Sequence, residues 1–218
     1  MARRTGDAGQ AFPIYVTVVG GLLFLAFAYF AVGQAAATRN GAQTAADAAA
    51  LAAAHSARDQ LRDGWLGVIA NPSAWPDYLD GGRFESDEAC GRAGVFAAKN
   101  DAELWGDECV PVDGTEEGFR VTVRTRGTVG ASVIPGTDER HAIATATAVV
   151  EPRCTFDAPE SEPTPAPAET PDREDAEEEG KPILGLSCDG VPWEIDPENP
   201  TLPSAADLFI VRLSANDE

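Results

Sequence analysis

A chain of 218 residues with a formal net charge of −20 has room for one modest domain beside any anchor. That acidity excludes nucleic acid as a partner, because a phosphate backbone demands a Lys/Arg footprint, and it argues equally against adhesion to anionic lipid headgroups. Four cysteines and two histidines are all that is available for disulfide, thiol or soft-metal chemistry.

The chain opens on a stub, residues 1–11, holding Arg3, Arg4 and Asp7 and read as cytoplasmic. An apolar run follows at residues 12–33, FPIYVTVVGGLLFLAFAYFAVG, without a charged side chain. At a rise of about 1.5 Å per residue it covers the roughly 30 Å of a bilayer's hydrocarbon core, which predicts a transmembrane helix. A secretory signal peptide is the rival reading, with Ala35 to Ala37 as the cleavage site, but signal cores run to only about 7–15 residues. Pro13 suits the first turn of a helix that begins near Phe12. Gly20 and Gly21 leave a groove that a neighbouring helix can enter, although a lone helix in lipid tolerates them as well. The positive-inside rule puts the N-terminus in the cytoplasm and the chain beyond about Gln34 outside, as a single-pass protein of the cell membrane.

Beyond Gly33 the alanine-rich stretch 34–62 prolongs the helix to Leu61. Unbroken from residue 12 to 61 it is about 75 Å long, so that about 40 Å projects from the membrane. Asn40-Gly41 is the expected weak point. Within this stretch the block Gly41-Ala42-Gln43-Thr44-Ala45-Ala46-Asp47-Ala48-Ala49-Ala50-Leu51-Ala52 resembles the signature of the TadE/TadG-like proteins of the Tad (Flp-type) pilus machinery. In that family an N-terminal membrane helix runs into such a block, and a small extracytoplasmic domain follows. The resemblance implies a pseudopilin-like structural component of a pilus or related secretion assembly, without enzymatic activity or cofactor. Its partners would be the lipid bilayer and other pilus-assembly or pseudopilin membrane proteins. The glutamate that type IV-like prepilins carry at their fifth mature position is absent: Ile14 stands there after a cut at Gly9, and Ala11 after a cut at Gly6. The residues expected to pack against other helices are Gly20, Gly21, Ala31, Ala35, Ala45, Ala46, Asp47, Ala48 and Ala49. Asp47, alone among alanines, either pairs with a basic group on a partner or faces water.

Residues 63–156 read as an extracytoplasmic α+β domain. Pro72 and Pro76 mark a loop, and Trp65 and Trp75 are expected to pack. A helix is predicted over 88–104, with Ser86 or Asp87 as N-cap and Cys90 in its first turn, followed by a short strand over 108–112 carrying Cys109. Residues 119–126 alternate, with Phe119, Val121, Val123 and Thr125 on one face and Arg120, Thr122, Arg124 and Arg126 on the other. That pattern is a half-buried strand, its arginine stripe either solvated or an anion site. Residues 141–150 form another strand, whose alanine face lies under the alanine-rich helix.

Spacing favours disulfides Cys90–Cys109 and Cys154–Cys188, in keeping with an exported domain. A zinc site lacks a C-x-x-C motif and nearby histidines. Residues 157–181, rich in Pro and Glu, read as a disordered acidic linker; a calcium site there lacks EF-hand spacing. The C-terminal segment 182–218 offers a strand at 183–188, a loop from 191, and a terminal strand at 207–213 held back by Cys154–Cys188. No hydrolase, zincin or P-loop motif occurs. The alternative to a structural component is an anchored extracytoplasmic enzyme or ligand-binding domain acting at the cell wall, with Glu85, Asp87 or Glu88 as the carboxylates of a glycoside hydrolase. The expected fold is α+β: a long N-terminal transmembrane helix extended into a small, disulfide-stapled helix-on-sheet domain with a disordered acidic insert.

Overall fold

The computed structural model describes residues 11–112, 117–131, 135–156, 183–195 and 201–215. The first ten residues and the linker 157–181 lie outside them. Helix α1 (Ala11–Gly67) is a single element of 57 residues, about 86 Å long. It runs past the expected end at Leu61 and is continuous through Asn40-Gly41, where the Thr44 hydroxyl donates to the Asn40 carbonyl at 3.0 Å. A 3₁₀ turn at Pro72–Ala74 and the short α2 (Pro76–Leu79) then lead into α3 (Ser86–Lys99).

α3 starts two residues earlier and ends five residues sooner than its apolar spacing predicts, for identifiable reasons. Its N-cap Glu85 is gripped from α1: the Glu85 backbone N–H donates to Gln60 Oε1 at 2.7 Å, and Gln60 Nε2 donates to the Glu85 carbonyl at 3.3 Å. At the other end Asn100 closes the helix, its side chain donating to the Phe96 carbonyl at 2.9 Å, and Asp101 takes a left-handed φ of 54°. Asn and Asp tolerate that region, so the chain reverses there and Leu104 falls in a strand.

That strand, β1 (Ala102–Val112), absorbs the predicted short strand and is bulged between Leu104 and Cys109. β1, β2 (Glu117–Thr128) and β3 (His141–Pro152) pair antiparallel, and β7 (Phe209–Leu213) completes the order β1-β2-β3-β7. The alternation is as read: Phe119, Val121, Val123 and Thr125 are buried, and Ala144, Ala146 and Ala148 stand opposite Val123, Val121 and Phe119 in register. This face meets α1, and α3 packs on α1 as well, through Ala89, Ala93 and Ala97.

A second sheet is made of β4 (Cys154–Phe156), β5 (Ile183–Cys188) and β6 (Val191–Ile195). β6 lies in the stretch expected to be loop. Asp189 (φ 51°) and Gly190 (φ 78°) make a two-residue turn, so that Cys188 pairs with Val191 and the chain folds back as a hairpin. Such turns need positive φ at both positions, which Asp-Gly supplies. Pro192 is accommodated because β6 is an edge strand. The helical turn α4 (Ala205–Leu208) is held by a capping box: Ser204 Oγ accepts from the Asp207 N–H at 3.3 Å, and the Asp207 carboxylate accepts from the Ser204 N–H at 2.8 Å. The Ser204 side-chain and backbone hydrogen bonds hold the Asp207 carboxyl below its ordinary pKa.

Both expected disulfides are formed. Cys90–Cys109 ties α3 to β1, and Cys154–Cys188 joins directly opposed positions of β4 and β5. Trp65 and Trp75 are fully buried and meet edge to face at 5.4 Å, with Phe156 4.5 Å from Trp75. The protein is thus α+β, with a long apolar N-terminal helix, two sheets and two disulfides. The alanine-rich extension, the following elements and the C-terminal strand share one buried cluster.

Gly118 is the tightest point of the sheet. A Cβ there would lie 2.2 Å from the Ala148 carbonyl oxygen and 2.9 Å from Val149 Cα, both backbone atoms that cannot step aside. Gly118→Ala is therefore expected to lower unfolding free energy by about 1–3 kcal/mol, measured by urea denaturation with both disulfides intact.

Candidate assembly surface

α1 meets two environments. From Phe12 to Phe30 its large side chains stand out of the fold, with Tyr29 83% and Phe12 73% exposed. From Ala42 to Leu61 one face of the same helix is buried under the sheet and α3. Among the described residues it is the one helix long and apolar enough to cross a membrane.

The residues expected to pack on other helices divide along this boundary. Gly20 and Gly21 are exposed, and a Cβ at either would find no neighbour within 4 Å. Ala35 is exposed and Ala48 half-buried. Ala45, Ala46 and Ala49 are fully buried in the chain's own core, and Ala31 is 6% exposed. The small residues there serve the approach of α1 to its own sheet, so the surface open to a partner is smaller than the sequence reading draws it. Asp47 is half-buried and engaged within the helix, accepting from Gln43 Nε2 at 2.8 Å.

Gln34, one turn beyond Ala31, lies close to another part of the fold. A Cβ on Gly130, in the connection between β2 and β3, would lie 3.9 Å from Gln34 Nε2, and Gln34 Oε1 is buried without a partner among the described residues. The Val129 N–H donates to the Arg140 carbonyl at 2.8 Å, closing the base of this connection. The β2–β3 end of the domain therefore lies close to α1 at the first residue beyond the apolar run, and the tryptophan cluster lies at the opposite end of the helix. No local pattern in the sequence announces this long-range contact.

The arginine stripe of β2 does not converge on an anion. Arg124 is ion-paired with Glu103 and lies over Trp105 at 3.5 Å from the ring centroid, while Arg120 and Arg126 point to solvent. Between α1 and α3 lies a groove of about 360 Å³ lined by His55, Asp59, Asp63, Glu88, Arg92 and Phe96, among others. Of the carboxylates considered for hydrolysis, Glu88 borders this groove; Glu85 and Asp87 are exposed and do not line it. Among the described residues no three His, Cys, Asp or Glu side chains are grouped to hold a metal ion.

His55 has its pKa lowered, first by desolvation and then by the neighbouring Arg58 guanidinium. A folded-state pKa below the unfolded value means that the unfolded chain binds the proton more readily. The resulting stability is fully present above the unfolded value near 6.5 and is lost as pH falls through and below it. His55→Gln is expected to flatten the decline in denaturation midpoint between about pH 7 and pH 6, followed by parallel titrations of both proteins.

No curated protein and no solved structure matches the chain. Residues 9–58 match the Tad family, described as "Putative Flp pilus-assembly TadE/G-like". The match spans the apolar run and the block 41–52 on which the resemblance was read. Over this N-terminal segment, about a quarter of its length, the chain is similar to the TadE/TadG-like proteins of Flp pilus assembly.

Proposed function

We propose that the protein is a single-pass, pseudopilin-like structural component of a Tad/Flp-type pilus or related secretion assembly, without a catalytic role. The first half of α1 crosses the cell membrane, the N-terminus lies in the cytoplasm, and the disulfide-bonded domain stands outside. The observation that carries this reading is the division of α1 into an apolar half that its own fold leaves bare and an alanine-rich half that its own fold covers. An apolar cylinder some 20 residues long far exceeds the few hundred Å² of apolar patch that a soluble monomer exposes, so it demands lipid or other helices. Two disulfides in the domain favour an oxidising compartment, and the matched family supplies the pilus-assembly setting.

Within lipid, apolar side chains gain little by leaving their solvent, so association with partner helices depends on close approach at small residues. On this reading Gly20, Gly21 and Ala35 are the open contacts, and Ala48 contributes at the margin. Protease added to intact, wall-stripped cells is expected to remove the domain beyond Gln34; full protection would overturn the topology. Replacing Gly20 and Gly21 with leucine is expected to leave insertion intact, since leucine favours the bilayer, and to reduce cross-linking to co-assembled pilus proteins several-fold. Unchanged cross-linking with unchanged surface filaments would reduce the helix to an anchor.

A further inference from the structure

Most arginines of the outer domain are already neutralised. Arg58, Arg62, Arg83, Arg124, Arg153 and Arg212 are ion-paired with Asp59, Asp63, Asp77, Glu103, Asp189 and Glu151. Arg92 lies over the Phe96 ring. Arg39, Arg120, Arg126 and Arg140 are exposed and make no ion pair among the described residues. Arg120 stands in the middle of the sheet. Of the other three, Arg126 and Arg140 flank the β2–β3 connection, and Arg39 lies on the stretch of α1 nearest to it.

Their position follows from the closeness of Gly130 to Gln34, where a Cβ on the glycine would lie 3.9 Å from Gln34 Nε2, which places the β2–β3 connection beside the first residue beyond the apolar run. Arg140 is tied to this connection through its carbonyl, which accepts from the Val129 N–H at 2.8 Å. Arg126 precedes the connection by a few residues, its own N–H held by the Asp101 carbonyl at 2.8 Å. Arg39 lies on α1 about 8 Å along the axis from Gln34. The polar headgroup zone is about 5–8 Å deep on each side of the hydrocarbon, and an arginine side chain reaches several Å beyond its own backbone. Asp101, Asp138 and Glu139 share this end; with Lys99 and the three arginines they leave it slightly positive, in a chain whose net charge is −20.

Building on the membrane-spanning reading above, we propose that Arg39, Arg126 and Arg140 form a docking rim for the phosphates of an anionic bilayer surface. The rest of the acidic domain is repelled by the same surface, so it seats on this end alone. Overall acidity argues against lipid adhesion for the molecule as a whole; the distribution of unpaired arginines reverses that expectation locally.

The test uses the full chain in phosphatidylcholine nanodiscs, with and without about a third phosphatidylglycerol, and reads amide hydrogen exchange. Exchange across residues 126–131 and 140–142 is expected to slow with anionic lipid, by up to about fivefold for each arginine engaged. The slowing should vanish at about 0.5 M salt and in R39Q/R126Q/R140Q, while residues 183–195 stay unchanged throughout. These three side chains are exposed, so the variant should keep its fold, checked by its disulfides and by the exchange of residues 183–195. Equal exchange in both lipids, or slowing that survives in the triple variant, would overturn the docking rim alone. A chain that failed to insert into either disc would overturn the membrane-spanning reading beneath it.

Discussion

Close approach between a helix and a sheet, made possible by alanine on both, is the constraint on which the rest of this structure depends. Ala45, Ala49 and Ala53 of α1 and Ala146 and Ala148 of β3 are all buried in one cluster. Each removes little apolar area by itself, so the stabilisation comes from dense contact and from the larger Phe119, Val121 and Val123 alongside. α3 repeats the device with Ala89, Ala93 and Ala97. A core built this way has no slack: a larger side chain at any of these positions must move an entire backbone element.

The same helix therefore does two jobs with one composition rule. The alanines beyond the apolar run pack on the protein's own sheet, while the large side chains of the run are left bare by the fold. Gln34 and Gly130 lie close together at the junction, just beyond the apolar run, within which Ala31 is also covered. Disulfides then close what the modest core leaves loose: Cys90–Cys109 joins α3 to the bulged edge strand β1, and Cys154–Cys188 holds the small sheet together.

Much of this was legible because local periodicity and local composition encode it. The alternation from Phe119 to Thr125 and the alanine face of residues 141–150 identified both central strands and their buried sides. Cysteine spacing identified the two pairs. The hairpin at Asp189-Gly190 was written in the sequence as a turn signal, but the prolines that follow it drew the reading towards loop; an edge position makes Pro192 harmless. The termination of α3 depended on Asn100 and Asp101, capping residues outweighed by an apolar spacing that continued past them. Small residues look alike in sequence whether they are left open or meet the chain's own sheet, and only the fold separates the buried Ala45, Ala46 and Ala49 from the open Gly20 and Gly21. The contact of Gln34 with the β2–β3 connection joins positions about a hundred residues apart and has no local signature.

The continuity of α1 through Asn40-Gly41 turns the molecule into a lever. Without a break between the apolar run and the core, the outer domain follows the helix as one rigid body. From Gln34 to Trp65 the arm is about 46 Å, so on the proposed membrane-spanning reading a tilt of about 20°, ordinary for a membrane helix, carries the tryptophan end about 16 Å sideways. On that same proposal, a change in helix angle within the bilayer would be magnified at the far tip of the domain.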